Sequence, residues 1–78
     1  MKLKEARVKA GFGTTKLAHL AGVDRPGLYR IEAGLRVPGI ETATKIARVL
    51  GLDVRVVDEF GPAVAKAEAA GLVVDEKT

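Results

Sequence analysis

Residues 14–33, TTKLAHLAGVDRPGLYRIEA, constrain the fold more than any other stretch, because they read as two short helices folded about a single glycine. Leu17, Ala18 and Ala21 recur at helical spacing, Gly22 stops the first helix, and Val23 follows as an apolar plug. Leu28 and Ile31 give the second helix a side to bury. Ala18 is small where the two helices cross closest, and Gly22 can take the positive φ that a tight turn between helices needs. The plainer alternative is an ordinary helical hairpin inside a small bundle.

Size and charge narrow what surrounds this pair. Seventy-eight residues make one small domain, and such a chain buries only around 60% of its unfolded surface, so dimerisation is a natural way to bury more. There is no cysteine and only one histidine, which excludes disulfides and thiolate metal sites and leaves a metal-built fold unexpected. No apolar run approaches the roughly 20 residues that span a bilayer, and no signal-peptide pattern opens the chain, so a cytoplasmic protein is expected. The net charge of +3 is unevenly placed: residues 1–52 carry ten Lys and Arg against Glu5, Asp24, Glu32 and Glu41. The basic charge, and with it any attraction for a polyanion, therefore belongs to the part that holds the helix pair.

The remaining elements follow from periodicity and punctuation. Leu3, Ala6 and Ala10, flanked by Lys2, Lys4, Glu5, Arg7 and Lys9, predict a first amphipathic helix ended by Gly11, with Phe12 capping the core from the turn. The next helix starts at Thr14 or Thr15. Asp24 is a good N-cap for the third, and Pro26 is tolerated within its first turn, where the missing N–H would be unbonded anyway. Gly27 costs on the order of 1 kcal/mol relative to alanine inside a helix, which asks for a reason, and close approach to another surface is one. Gly34 ends this helix, residues 35–39 form a loop, and Ile40, Ala43, Ile46, Ala47 and Leu50 predict a fourth helix over residues 40–50, closed by Gly51.

Residues 52–57 then switch period, with Leu52, Val54 and Val56 alternating with Asp53, Arg55 and Val57, which argues for a short strand. A lone strand needs a partner for its backbone groups, and a two-chain antiparallel ribbon would supply one while burying valines. The alternative is a fifth short helix covering the core. After Gly61-Pro62, residues 63–70 form an alanine-rich helix of about two turns, too short to be stable alone. Leu72, Val73 and Val74 have the composition of a second short strand, and residues 75–78 are expected to fray. Docking on a dimer, contact with a partner protein and partial disorder all remain open for this tail.

The chemistry of the pair is that of a helix-turn-helix, whose second helix enters the major groove while the head of the first meets the sugar-phosphate backbone. With Leu28 and Ile31 inward, Arg25, Tyr29 and Arg30 face out. Arginine suits guanine because its fork matches the O6 and N7 acceptors, so Arg25 and Arg30 are the first candidates for reading bases. Pro26 and Gly27 offer no hydrogen-bonding side chain, and either pack on a thymine methyl or let the backbone come close. Tyr29 is placed to bond a phosphate through its hydroxyl or to lie beside Arg30. Thr14, Thr15 and Lys16 sit at a helix head, where free N–H groups favour a phosphate, and Arg36 lies in the loop just beyond the recognition helix. Lys45 and Arg48 either add charge or solubilise their helix, and His19 reads as a surface residue. No nucleophile and base stand together, so neither an enzyme nor a cofactor is expected.

Four runs, LKEARVKAGF (residues 3–12), KLAHLAGV (16–23), LYRIEAG (28–34) and VPGIETATKIARVLGL (37–52), together resemble the Cro and phage-repressor type of helix-turn-helix, the XRE family, over about two thirds of the chain. The resemblance implies a compact five-helix DNA-binding domain, usually dimeric on palindromic operators. It also implies an ion pair between Arg7 and Glu32 that joins the first helix to the third. Base-reading positions of the family map to Arg25, Pro26 and Arg30, and its phosphate-contacting head residue maps to Thr14. Pro26-Gly27 stands where many members carry a polar pair, and Thr14 is shorter than the usual glutamine, which limits its contact to the backbone N–H. The ending LGLDVRVV (residues 50–57) is similar to antitoxins of the HipB kind, in which a strand after the fourth helix pairs across the dimer, here through Val54 and Val56. That similarity suggests an autoregulating antitoxin whose tail engages a toxin.

The expectation is thus an all-α, five-helix-type repressor domain over residues 1–52, a dimerisation strand or short helix over 53–60, and a tail over 61–78. Its expected partners are palindromic double-stranded DNA, a second copy and a toxin, with no membrane. The alternative from another class is a protein-interaction adaptor built on the same scaffold.

Overall fold

Four helices, α1 (Leu3–Lys9), α2 (Thr14–Ala21), α3 (Arg25–Glu32) and α4 (Ile40–Leu50), succeed one another in a computed structural model that describes residues 1–71. All four stop in the same way. A left-handed glycine returns its N–H to the carbonyl three residues back, and the N–H after it reaches five back, as in Gly22 to His19 O at 3.2 Å and Val23 to Ala18 O at 2.9 Å. This turn throws the following apolar residue back over the helix end. Phe12, Val23 and Leu52 pack on the core in that position, whereas Leu35 after α3 is 72% exposed.

The core sits where α2 packs against both α3 and α4. Leu17, Leu28, Ile31 and Ile46 fill it, and Ala18, Ala21, Ala43 and Ala47 let the helix backbones approach. Burying these groups drives helices that are each too short to hold alone.

The strand expected at residues 52–57 does not form. Val54–Val56 and Asp58–Phe60 are two successive 3-10 turns, and the Asp53 carboxylate caps the first by accepting the Arg55 N–H at 2.8 Å. The buried residues are Val54, Val57 and Phe60, a spacing of three that matches the 3-10 repeat of three residues per turn. Period two, read over six residues, was too short to tell apart from this. Val54, expected at a dimer interface, is 1% exposed inside its own chain's core, and Val56 is 44% exposed.

The turns lead into α5 (Gly61–Ala69), which begins with Pro62 in its first turn and buries Ala63, Val64 and Ala67 against α4 and the turns. The start of the chain is pinned to the same segment. The Met1 ammonium donates to Val56 O and to Asp58 Oδ1, both at 2.9 Å, and the Leu3 N–H donates to Glu59 Oε1 at 2.8 Å. Residues 54–64 thus belong to one core with α1–α4. The second strand expected at residues 72–74 and the frayed end at 75–78 lie outside the described residues. Among the described residues there is no strand, and no helix is long and apolar enough to cross a membrane.

Candidate nucleic-acid interface

The outward face of α3 is built by what its inward face must bury. Asp24 caps the helix, its carboxylate accepting the Gly27 N–H at 3.2 Å, and Gly27, Leu28 and Ile31 turn into the protein. At about 100° per residue, Arg25, Tyr29, Ala33, Pro26 and Arg30 then fall within an arc of about 140° on the other side. All five are exposed, Tyr29 at 63%. The arc carries two guanidinium groups and no carboxylate, because Glu32 turns to Arg7 and Asp24 is engaged at the cap. A helix with its side chains is about 10–12 Å across, a match for a major groove about 12 Å wide.

Arg7 fixes how this helix is held. Its Nε donates to Glu32 Oε2 at 2.8 Å and its Nη2 to Glu32 Oε1 at 3.2 Å, while Nη1 donates to the Phe12 carbonyl at 3.0 Å. One guanidinium therefore ties the last turn of α3 to the turn leading into α2. The bond to Phe12 O left no trace in the sequence, since a backbone acceptor has no residue signature.

The head of α2 follows Gly13, which has no side chain to cap it, and Leu17 makes the first backbone bond of the helix, to Gly13 O at 3.1 Å. Thr14 is half-buried there, and Thr15 and Lys16 are exposed. Free N–H groups at a positive helix end suit a phosphate oxygen.

Gly27 sits elsewhere than one of its two expected settings would place it. It is buried, and a Cβ built on it would lie 2.7 Å from Asp24 Oδ1 and 3.2 Å from Arg36 Nη1. The close approach that this glycine permits is therefore with the chain's own side chains. Position 27 offers no surface to a thymine methyl, whereas Pro26 is exposed. The same contact brings Arg36 from the loop to the head of α3. His19, Lys45 and Arg48 are exposed on α2 and α4. Among the described residues no group of His, Cys, Asp and Glu is arranged to hold a metal ion.

Comparison with known proteins agrees with this geometry. A family profile described as Helix-turn-helix matches residues 3–57, from the start of α1 through the first 3-10 turn. The chain is 38% identical over 61 residues to a putative HTH-type transcriptional regulatory protein of Methanocaldococcus jannaschii, covering 77% of this chain and 19% of the relative. It is 31% identical over 51 residues to the uncharacterized HTH-type transcriptional regulator YonR, derived from the SPbeta prophage, of Bacillus subtilis, covering 65% of this chain and 47% of the relative. The chain thus spans less than half the length of either. No solved structure matches it significantly. With the family match covering most of the chain and both relatives sharing it, this protein belongs to the helix-turn-helix family.

Proposed function

We propose that the chain is a sequence-specific DNA-binding transcriptional regulator that acts as a repressor. The observation that carries this reading is the face of α3: two arginines on an exposed arc free of carboxylate, on a helix held from behind by a buried ion pair. Arg25 and Arg30 read guanine through O6 and N7, and Pro26 packs on a thymine methyl. Tyr29 and Arg36 contact phosphates, and the head of α2 at Thr14, Thr15 and Lys16 receives another. Bound across a promoter in the cytoplasm, the protein excludes the transcription machinery.

Binding as a homodimer sets two recognition helices one DNA turn apart on a palindromic operator, about 34 Å. The valine ribbon at residues 52–57 has no part in that dimer. An autoregulating antitoxin role, with a toxin as partner, rests on the likeness of residues 50–57 alone, and co-purification with the product of the adjacent gene tests it.

Repeated selection of duplexes from a random-sequence pool tests the main reading. A regulator enriches one palindromic sequence whose half-sites contain guanine. A protein-interaction adaptor on the same scaffold enriches none.

A further inference from the structure

We propose that Gly27 is a positioning residue for Arg36: by carrying no side chain, it lets the Arg36 guanidinium lie across the head of the recognition helix beside the Asp24 carboxylate, where it serves as a phosphate clamp. Arg36 would otherwise be a mobile side chain in a loop. Its backbone is already held on both sides, because the Leu35 N–H bonds to Arg30 O at 2.8 Å and Pro38 is buried two residues on. What remains to be set is where the long side chain goes.

The space above Gly27 sets it. The point a Cβ would occupy is 2.7 Å from Asp24 Oδ1 and 3.2 Å from Arg36 Nη1, so carboxylate and guanidinium converge on the place that an alanine would fill. The other carboxylate oxygen, Oδ2, accepts the Gly27 N–H, so the cap is fixed. Holding a rotamer-rich side chain in advance lowers the entropy lost when it meets a phosphate. Three of the five arginine N–H groups, those on Nε and Nη2, can still turn to a ligand while Nη1 rests over the glycine. This also accounts for glycine inside a helix of only eight residues, where alanine would otherwise be favoured.

The proposal rests on the DNA-binding reading for its function but not for its geometry, and the experiment separates the two. Gly27→Ala, Arg36→Ala and the double variant are titrated against several duplexes by fluorescence anisotropy at a series of salt concentrations. Each single change is expected to weaken all sequences alike by several-fold and to reduce the salt slope by about one. The double variant is expected to be no weaker than Arg36→Ala. Because alanine at 27 also crowds the Asp24 cap, the series is repeated with Asp24→Ser, a shorter cap that leaves only the Arg36 contact to be disturbed. Additive losses in the cycle, or a changed base preference on Gly27→Ala, would overturn the proposal. Without DNA, nuclear Overhauser contacts between the Gly27 Hα and the Arg36 side chain are expected in the native chain, and their absence would overturn it whatever the duplex titration shows. If the native chain binds no duplex, the clamp role falls with the DNA-binding reading.

Discussion

Arg7 on α1 and Glu32 at the end of α3 meet in a two-pronged ion pair, with N–O distances of 2.8 and 3.2 Å and side chains only 11% and 9% exposed. At such burial, desolvation offsets much of the attraction, so the pair contributes more to the angle at which α3 is presented than to net stability. Removing one partner is a different matter. Arg7→Ala strands the Glu32 carboxylate and leaves Phe12 O without its donor, and is expected to cost about 3–5 kcal/mol in denaturant unfolding. The joint change Arg7→Met, Glu32→Leu is expected to cost far less. Equal losses from the single and joint changes would show that the charges themselves carry the stability.

Phe60 is fully buried in the turn that leads into α5. Phe60→Ala is expected to lower unfolding stability by about 3–5 kcal/mol, because the segment after α4 completes the core. A change under about 1 kcal/mol, the ordinary size of a surface effect, would mean that this segment is detached in solution.

Val54 and Val56 separate the observed 3-10 turn from the expected strand. Val54→Asp buries a charge in the core and is expected to unfold the chain, while Val56→Asp is expected to change stability by no more than about 0.5 kcal/mol. Light scattering of Val56→Asp should give the same mass as the native chain. A drop in mass would restore the two-chain ribbon.

Asp58 is more acidic than an ordinary aspartate. The Met1 ammonium donates to its carboxylate and holds its pKa below the usual aspartate value. A carboxyl depressed in the folded state adds stability above its unfolded pKa, about 3.9, and that stability is lost as pH falls through the lower native value. Acid unfolding of Asp58→Asn should lack this contribution, and its difference in melting temperature from the native chain should shrink as pH falls below about 4. A difference that is constant from pH 6 to pH 3 would contradict the pairing. The group is exposed, so the effect is small.

The sequence was legible wherever a local rule sufficed. The helix stops at Gly11, Gly22, Gly34 and Gly51, the Asp24 cap and the inward Leu28 and Ile31 are set by backbone geometry and helical period, and the structure places them so. The resemblance to the repressor family also matched Arg7 with Glu32 across 25 residues. The misread region, residues 52–57, is where local signals compete: β-branched residues favour a strand, but Val54, Val57 and Phe60 are claimed by a core that periodicity over six residues does not reveal. The tail was opaque for a related reason. Alanine-rich α5 advertises a helix but not its docking face, which depends on the cavity left by α4 and the turns. At the candidate site, the convergence of Asp24 and Arg36 on Gly27 depends on the path of the loop after α3, which no residue pattern encodes.

If the exposed arc of α3 reads bases, Arg25 and Arg30 carry the readout. Fluorescence anisotropy of the native chain and of Arg25→Ala and Arg30→Ala, against the selected operator and its single-base variants at one stated salt concentration, measures it. The native chain is expected to prefer the operator over unrelated duplex by at least about a thousandfold. Each variant should lose about 1–3 kcal/mol on the operator and stop discriminating at one position per half-site. Binding without sequence preference, left unchanged when both arginines are removed, would contradict the account.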